Sequence, residues 1–484
     1  MAQMKLKNII QKIPVTHFID EAKSFSNHLF HRAVDRHVKL AITGLSQSGK
    51  SAFITSLAHQ LVHANAGSNL PFFQKANTAN WLGAKVIESH SGLKSFPLEE
   101  SLHLLCQDSP TWPASTRDIS ELRLLIRYRP TNFLERKLAP VANLYLDLVD
   151  YPGEWLLDMP MLSWTYQQWC QFTRQLCEKA PRKHLASSWR DLLVEMDPKT
   201  PYDSESLAKI SRIYKEYLLK CRQEDAALSI NQPGRFVLPG DLSDTSLLEF
   251  VPLVDHIPTD SEIESWPKAS FYHTMAERYE RYKKEIVEPF YRNHFRHFDR
   301  QIVLIDCLSV LNHGHSSFVD AQEAIRLILA NFSYGQNSLL QRLFSPKIDK
   351  LLFAATKADC ITPNQHHNLN QLIAAMVSQA NNNAKFEGVQ TETISLAAVK
   401  STEVATAEFQ GQKISCLKGK RRHDGEEVVL FPGQSPTEIP RAQDWQEERF
   451  KYIEFMPPQC SNGPSGITHI RIDHALEYLL GDKF

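Results

Sequence analysis

Residues 40–51 read Leu40-Ala41-Ile42-Thr43-Gly44-Leu45-Ser46-Gln47-Ser48-Gly49-Lys50-Ser51. The apolar run Val38–Ile42 predicts a buried strand, and the residues from Ala52 to Val62 predict an amphipathic helix. The loop between them matches G-x-x-x-x-G-K-[ST] without a mismatch, in the strand–loop–helix context that the pattern requires. Its two glycines allow the backbone to wrap closely around a phosphate, and the helix N-terminus supplies positive potential for the anion. The alternative is a glycine-rich turn with a surface lysine.

The residues of this phosphate loop receive expected roles. Lys50 is expected to reach the outer phosphates and to act in catalysis, and the Ser51 hydroxyl is placed to bind Mg²⁺. Backbone N–H groups of the loop are expected to cradle the phosphates. The residues predicted to bind the nucleotide here are Gly44, Ser46, Gln47, Ser48, Gly49, Lys50, Ser51 and Ala52.

The composition is that of an ordinary globular protein. The chain has 484 residues, of which 42% are apolar and 23% are charged, and its formal net charge is -1. The length predicts two or three modules, and the near-zero charge gives no argument for a nucleic-acid partner. The 8 cysteines are scattered without a C-x-x-C pair, which argues against a disulfide framework or a zinc module. No apolar run of about 18 residues and no signal-peptide pattern occurs, so we expect a cytoplasmic protein without a transmembrane segment.

A second motif, Asp147-Leu148-Val149-Asp150-Tyr151-Pro152-Gly153-Glu154, follows the D-x-x-G pattern at the end of a strand predicted at Asn143–Val149. A carboxylate at a strand end can hold Mg²⁺, so Asp150 receives this role. The Gly153 N–H can meet a γ-phosphate because no side chain blocks its approach. Asp147 is the competing carboxylate, but the alternation of the strand turns it to another face.

A base-reading motif, Thr356-Lys357-Ala358-Asp359, follows a strand predicted at Lys350–Ala355. The pattern [NT]-K-x-D after a late strand is typical of the guanine-reading motif of GTPases. An aspartate accepts hydrogen bonds from the ring N–H and the exocyclic amine of guanine, whereas adenine offers neither donor there. Thr356 stands where asparagine is commoner, which weakens one supporting hydrogen bond. The segment Ser395–Lys400 is a looser version of the last guanine-loop motif. The residues predicted to bind the base are Thr356, Lys357, Asp359, Ala398 and Val399.

Three further residues are candidates by their positions relative to GTPase motifs. Thr116 precedes a strand predicted at Glu121–Tyr128 and fits the switch threonine that contacts Mg²⁺ and the γ-phosphate; otherwise it is a cap or turn residue. Arg117 is either an internal arginine finger or a surface arginine. Glu154 occupies the place after D-x-x-G where small GTPases carry a water-orienting glutamine. Because a carboxylate accepts from water but cannot donate as an amide does, we expect slow hydrolysis or a role for another group.

The order of the motifs predicts an α/β P-loop fold, a parallel sheet with helices on both faces, interrupted by insertions. An N-terminal helical arm, 1–36, either packs on this domain or contacts a membrane surface or a partner. The nucleotide domain is expected at 37–154 and 301–402, with a terminal helix in 468–484. A helical insertion with its own core is expected at 155–300, and a small β insertion at 403–467.

Some local predictions concern the insertions and the long connection before them. Residues 66–113 are expected to be irregular apart from a helix at Leu98–Cys106, and one helix is predicted over Phe271–Phe295. The basic cluster Lys418–His423 is either a solvated turn or a contact for an anionic partner. In the β insertion, strands are predicted at Ala405–Leu417 with a turn at Gln410-Gly411, at Glu426–Phe431 and at Arg449–Phe455.

Taken together, the motifs resemble one protein family, the YcjX family, over almost the whole chain. The segments that carry the resemblance are Gly44–Ser51, Trp112–Thr116, Asp150–Trp155, Leu304–Leu308, Thr356–Asp359 and Asp473–Tyr478. This family comprises bacterial P-loop proteins that are often called ATPases but are GTPase-like in their motifs. Some members are linked to the phage-shock and envelope-stress response, next to an inner-membrane partner called YcjF. The resemblance therefore implies GTP and GDP with Mg²⁺, and a cytoplasmic protein with a peripheral inner-membrane position as an alternative.

The expected reaction is GTP and water to GDP and phosphate. Two alternatives stay open: an ATPase of the same fold in which Asp359 is structural, and a nucleotide-binding scaffold that switches partner affinity with negligible hydrolysis. Because the helical insertion begins directly after Glu154, chain order predicts that movement of Pro152-Gly153 is transmitted to it.

Overall fold

The computed structural model describes residues 35–65, 70–115, 117–223, 225–242, 245–330, 348–386, 388–447, 449–461 and 466–484. Of the N-terminal arm predicted at 1–36, only Asp35 and Arg36 belong to the described residues. Thr116 also lies outside them.

The described residues form an 8-stranded sheet with the order β2-β4-β5-β1-β6-β7-β8 and with β3 beside β4. Strands β5, β1, β6, β7 and β8 are parallel neighbours, which is the parallel sheet that the motifs predict. Strand β4 is antiparallel to β5, and β2 is antiparallel to β4, so the sheet is mixed. The strands are β1 (Arg36–Gly44), β2 (Trp81–Ile87), β3 (Lys94–Ser95), β4 (Ser120–Tyr128), β5 (Ala142–Asp150), β6 (Arg300–Ile305), β7 (Lys350–Ala355) and β8 (Gln390–Ser395).

The helices are distributed along the whole described chain. In chain order they are α1 (Lys50–Val62), α2 (Leu98–Cys106), α3 (Phe133–Leu138), α4 (Tyr166–Cys177), α5 (Arg182–Leu185), α6 (Ser187–Glu195), α7 (Ser204–Arg222), α8 (Gly234–Val237), α9 (Asp260–Ser265), α10 (Phe271–Tyr282), α11 (Glu288–Asn293), α12 (Cys307–Asn312), α13 (His315–Ala330), α14 (His366–Phe386), α15 (Ala442–Gln446) and α16 (Ile472–Leu480). The helix predicted over Phe271–Phe295 is interrupted by a π-helical turn, Lys283–Val287, and ends at Asn293.

Helices cover both faces of the sheet, as predicted. Leu40 and Ile42 of β1 belong to a buried cluster with Phe53 of α1 and with residues of α16. Ala41, which lies between them, belongs to a cluster on the other face that includes residues of α13 and α14. Because successive side chains of a strand point to opposite faces, β1 is buried on both sides and the loop that follows it has a rigid base.

The helical region between β5 and β6 does not have its own core. Trp169, Trp189 and Tyr214 of that region belong to one buried cluster with Ala41 and Ile305 of the sheet. The expectation of a separate core is therefore wrong. The physical reason is that the 3₁₀ segment Gly153–Leu162 continues directly from the sheet and is buried along nearly its whole length, so it joins the two sets of side chains.

A small antiparallel sheet follows β8. We call this sheet, together with the residues after it up to 461, the β region. Its strands are β9 (Glu403–Phe409), β10 (Gln412–Lys420) and β11 (Glu427–Leu430), in the order β11-β10-β9. The predicted turn is confirmed: Gln410 and Gly411 both have positive φ, 50° and 74°, as a tight hairpin requires. The strand predicted at Arg449–Phe455 is wrong, since it contributes only a single bridge between Phe455 and Arg421.

Candidate functional site

The phosphate loop, residues 44–51, is shaped by close backbone packing. A side chain at Gly44 would place its Cβ 2.3 Å from Ser48 Oγ and 2.4 Å from the Leu304 carbonyl oxygen, so only glycine fits. Gln47 and Gly49 have φ of 59° and 83°, in the left-handed region. These conformations turn the chain sharply between the end of β1 and the start of α1, as a phosphate-binding turn requires.

Lys50 and Ser51 open helix α1 and make contacts that involve the loops around them. The Lys50 ammonium is buried and donates to the Gly44 carbonyl oxygen at 3.5 Å, so the lysine lies back over its own loop. The Ser51 hydroxyl donates to the Ala114 carbonyl oxygen at 2.7 Å. This bond joins the phosphate loop to the segment that leads to Thr116, whose own predicted role stays a prediction.

The D-x-x-G motif packs directly on the phosphate loop. A Cβ at Gly153 would lie 2.2 Å from the Gly44 carbonyl oxygen, so the backbones of the two glycines are in contact. Asp150 is buried at the end of β5, where it pairs in register with Ile42 of the parallel strand β1. The competing carboxylate, Asp147, is engaged by Arg123 at both oxygens, at 2.5 and 2.8 Å. That pairing supports the choice of Asp150 as the carboxylate nearest the loop.

Asp359 is oriented by the loop after β8. Its Oδ2 accepts a hydrogen bond from the Ser401 backbone N–H at 2.9 Å and another from the Ser401 hydroxyl. The Thr402 hydroxyl donates to the Asp359 carbonyl oxygen at 2.6 Å. Burial raises the pKa of Asp359, and the two bonds from Ser401 oppose that rise. The carboxylate is therefore held in one orientation at the wall of a cavity.

The Lys357 ammonium is bound by two carboxylates. Its Nζ lies 2.6 Å from Asp306 Oδ2, at the end of β6, and 2.5 Å from Glu454 Oε1 in the β region. Burial lowers the pKa of Lys357, but Asp306 and Glu454 outweigh burial and raise the pKa above its ordinary value. The lysine therefore stays charged. Its backbone has a φ of 56°, a left-handed conformation that non-glycine residues rarely adopt outside tightly determined sites.

A cavity of about 230 Å³ joins the phosphate loop to the residues predicted to bind the base, which we call the base-end residues. Gly44, Ser46, Asp150, Gly153, Glu154 and Arg117 lie outside its lining. The predicted residues that line it are Gln47, Ser48, Gly49, Lys50, Ser51, Ala52, Thr356, Lys357, Asp359, Ala398 and Val399. One end of the cavity is therefore formed by the phosphate loop with Lys50, and the other end includes the carboxylate that Ser401 orients.

Glu154 and Arg117 are placed differently from the cavity-lining residues. Glu154 is 5% exposed, and its Oε1 lies 3.2 Å from Arg222 Nη2 at the end of α7, so its charge is paired within the helical region. Arg117 is exposed. The exposure favours the interpretation of Arg117 as a surface arginine, while the catalytic roles of both residues stay predictions.

Several lining residues were not predicted from the sequence. Ser401 directly follows the segment Ser395–Lys400, so extending that motif by one residue finds it. Arg422 lies in the basic cluster, where it pairs with Glu454 at 2.6 Å. Its neighbours Lys418 and Arg421 also pair with carboxylates, which makes much of the cluster neutral. No sequence motif near Glu454 or Phe455 indicates that they line the cavity. Glu454 is 97 residues from Lys357 in the chain, so their contact depends on tertiary packing.

Among the residues that the structure describes, no helix is both long and apolar enough to span a bilayer.

The sequence is similar to known proteins over nearly its whole length. A family model described as YcjX-like family, DUF463, matches residues 38–484. A relative from Escherichia coli (strain K12), named Ras-like GTPase YcjX, is 41% identical over 466 residues, which cover 95% of this chain and 99% of the relative. A relative of the same name from Shewanella oneidensis is 40% identical over 471 residues, which cover 95% and 97% of the two chains. The model match and both relatives agree with the motifs that line the cavity, and the chain belongs to the YcjX-like family.

Proposed function

We propose that the protein binds GTP with Mg²⁺ and hydrolyses it to GDP and phosphate, as a molecular switch. One observation carries this proposal: the phosphate loop and the base-end residues Lys357 and Asp359 line the same cavity. A nucleoside triphosphate has an anionic end and an aromatic end with fixed donors, and the two ends of the cavity match them. The name Ras-like GTPase that both relatives carry supports the same nucleotide.

Guanine is the proposed base because of the hydrogen bonds that Asp359 can accept. Its carboxylate is oriented by Ser401, and Asp359 is part of the cavity lining. The ring N–H and exocyclic amine of guanine would add two donors to it, whereas adenine offers neither and would leave the buried carboxylate with only the two hydrogen bonds from Ser401. Ala398 and Val399 provide the neighbouring wall of the base end.

Mg²⁺ fits the oxygens that surround the phosphate loop. This ion keeps several waters and needs only one or two protein carboxylates beside the phosphates of its nucleotide. Ser51 and Asp150 would hold it, with Thr116 as the third proposed ligand. The Ser51 hydroxyl donates its proton to Ala114, so its lone pairs point away from that bond and suit a cation. Bound Mg²⁺ would supply electrostatic stabilisation of the phosphate oxygens.

The proposed hydrolysis uses charge stabilisation more than proton transfer. Lys50 and the N–H groups of the loop offset negative charge on the phosphoryl group as it passes to water. Glu154 is proposed to accept a hydrogen bond from that water, which requires it to leave Arg222. We call Trp112–Thr116 the switch segment, and Arg117, which directly follows it, is proposed to approach the phosphates. The Glu154–Arg222 pair favours slow turnover, and it supports a second candidate function, a nucleotide-gated scaffold with negligible hydrolysis.

The proposal also covers domain roles and cellular context. We place the nucleotide domain at 37–154 and 301–402 with 468–484, and the insertions at 155–300 and 403–467. By resemblance, we propose a cytoplasmic protein of the envelope-stress response that acts beside a YcjF-like inner-membrane partner.

A paired titration tests the function. GTP is expected to bind about 30- to 1000-fold more tightly than ATP in Mg²⁺ buffer, because a charge-assisted bidentate contact is lost with adenine. Equal affinities would overturn the guanine assignment and favour the ATPase alternative. Phosphate release is measured in parallel. GTP binding without release above the level of an inactive variant would favour the scaffold.

Lys50→Ala is the matching inactive variant. We expect it to lower GTP affinity by about 100-fold or more while the fold is preserved, because the loop loses its cation for the outer phosphates. Lys85→Ala, an exposed lysine of β2, is the control and should bind as the wild type does. Undiminished GTP affinity in folded Lys50→Ala would contradict the assignment of the loop.

A further inference from the structure

We propose that the dipeptide Glu454-Phe455 of the β region is a wall of the nucleotide site, and that Glu454 is a positioning residue for Lys357. This inference rests on the proposed function, since it concerns how the same cavity holds the nucleotide.

The Glu454 carboxylate is fixed between two cations. Its Oε1 lies 2.5 Å from Lys357 Nζ, and its Oε2 accepts from Arg422 Nη1 at 2.6 Å. The backbone adds a third contact, because the Arg422 N–H donates to the Glu454 carbonyl oxygen at 2.8 Å. Arg422 and Lys357 outweigh the effect of burial and lower the pKa of Glu454, so the carboxylate is ionised. A carboxylate held in this way gives Lys357 a second anionic partner in addition to Asp306.

Phe455 connects the same wall to the switch segment. Its carbonyl oxygen accepts a hydrogen bond from the Trp112 indole N–H at 3.0 Å. Its ring is packed so tightly on β10 that a Cβ at Gly419 would lie 2.8 Å from the ring. Trp112 also packs against the buried cluster that contains Val399, which lies in the loop after β8. The dipeptide therefore contacts the base-reading motif with one residue and the segment before Thr116 with the next.

The attachment of the β region supports this assignment. Ser401 and Thr402 hold Asp359, and β9 begins at the next residue, Glu403. Both charged residues of the base-reading motif are consequently held by the β region or by its first connection. The β region therefore supplies an ion-pair partner to Lys357, which a region that contacted only the outside of the nucleotide domain could not do.

Replacing Glu454 has two opposing effects that can be separated. The first is loss of positioning at the base end, which lowers the affinity for any guanine nucleotide by the same factor. The second is removal of a negative charge near a polyanion, which favours nucleotides with more phosphates. Glu454→Gln produces both effects, whereas Glu454→Asp keeps the charge but is one methylene too short to reach Lys357.

The experiment measures dissociation constants for GMP, GDP and a non-hydrolysable GTP analogue by calorimetry in Mg²⁺ buffer. For Glu454→Gln we expect GMP affinity to fall about tenfold and the ratio of GTP-analogue to GMP affinity to rise about threefold. For Glu454→Asp we expect the same loss for GMP with the wild-type ratio. Arg421→Gln is the control, because Arg421 is the neighbouring cation, pairs with Asp424 and Glu426, and does not line the cavity.

Each outcome decides between the inference and the function on which it rests. If the wild type binds no guanine nucleotide, the proposed function fails. If the wild type binds guanine nucleotides and both Glu454 variants bind GMP as tightly as the wild type does, the positioning role is overturned while the function stands. An equal loss in Arg421→Gln would assign the effect to general destabilisation of the β region, and it too would overturn the inference.

Discussion

At the scale of single residues, Asp359 has the most specific chemistry of the site. An amide in its place presents a donor where the carboxylate presented only acceptors. Asp359→Asn is therefore expected to lose its preference for guanine by about 30- to 1000-fold and to gain binding of xanthine nucleotides. Competition between GTP and XTP for one labelled nucleotide measures the exchange. An unchanged preference for GTP would show that another group reads the base.

A second residue prediction concerns Asp158, which is buried in the 3₁₀ segment after the D-x-x-G motif. Its carboxylate accepts hydrogen bonds from the Gly234 N–H at 2.8 Å and from the Tyr282 hydroxyl at 2.5 Å. Burial raises its pKa from 3.8 to about 7, although the bonds from Tyr282 and Gly234 oppose the rise. The native state therefore binds a proton more tightly than the unfolded chain does.

The sign of the resulting pH dependence follows from that direction. The stabilisation by Asp158 is fully present below its unfolded pKa and is lost as the pH rises through the native pKa, so stability falls between about pH 4 and pH 7. Asp158→Asn mimics the protonated form. It should be more stable than the wild type by about 2 kcal/mol near pH 5 and by about 4 kcal/mol near pH 8.5. Thermal unfolding midpoints at the two pH values measure the difference, and an equal difference at both would contradict the shifted pKa.

At the scale of elements, the 3₁₀ segment Gly153–Leu162 is connected to α7 through the Glu154–Arg222 ion pair. Glu154 is far more buried than Arg222, so removal of the cation leaves a buried charge without compensation. Arg222→Gln is expected to cost about 1–3 kcal/mol in stability. The double variant with Glu154→Gln should recover most of this loss, because both charges are then absent.

The control for that cycle lies on the same helix. Arg212 of α7 is exposed, so Arg212→Gln should change the unfolding midpoint little. If Arg222→Gln and Arg212→Gln behave alike, the pair does not stabilise the segment. If the double variant loses as much as the single one, the loss comes from Arg222 packing and not from its charge.

The elements also show how far the sequence could predict the structure. Strands β1, β6 and β7 are buried on both faces and read as apolar runs that end in motifs, so they were predictable. Strand β2 was missed because it lies at the edge of the sheet, where only Trp81 is buried and no alternation appears. The phosphate loop and Asp359 were found by local spacing. Glu454 was not, because its partner is fixed by tertiary packing and nothing near it in the sequence reports that contact.

At the scale of the whole molecule, the nucleotide site and the helical region are mechanically connected. Gly153 rests on Gly44, Glu154 binds Arg222, and Asp158 accepts the Gly234 N–H, all within six residues of the chain. A γ-phosphate that moves Gly153 would therefore displace contacts with the helices. Hydrogen exchange in residues 155–300 is expected to differ between the GDP state and the GTP-analogue state.

The same measurement provides its own reference. Residues of β7 and β8 are far from the D-x-x-G motif in the strand order and should exchange alike in both states. Identical protection of residues 155–300 in the two states would remove the support for a switch and favour a constitutive enzyme.

The strand order also has a consequence for biosynthesis. Strand β1 pairs with β5 on one edge and with β6 on the other, yet the whole helical region lies between β5 and β6 in the sequence. During translation, β1 and β5 can pair early, but the other edge of β1 has no native neighbour until about 150 more residues have been made. At typical rates of synthesis this interval lasts roughly 8–30 s. For that time an apolar parallel edge is open to mispairing, so the nascent chain is expected to depend on chaperones before its helical region is complete.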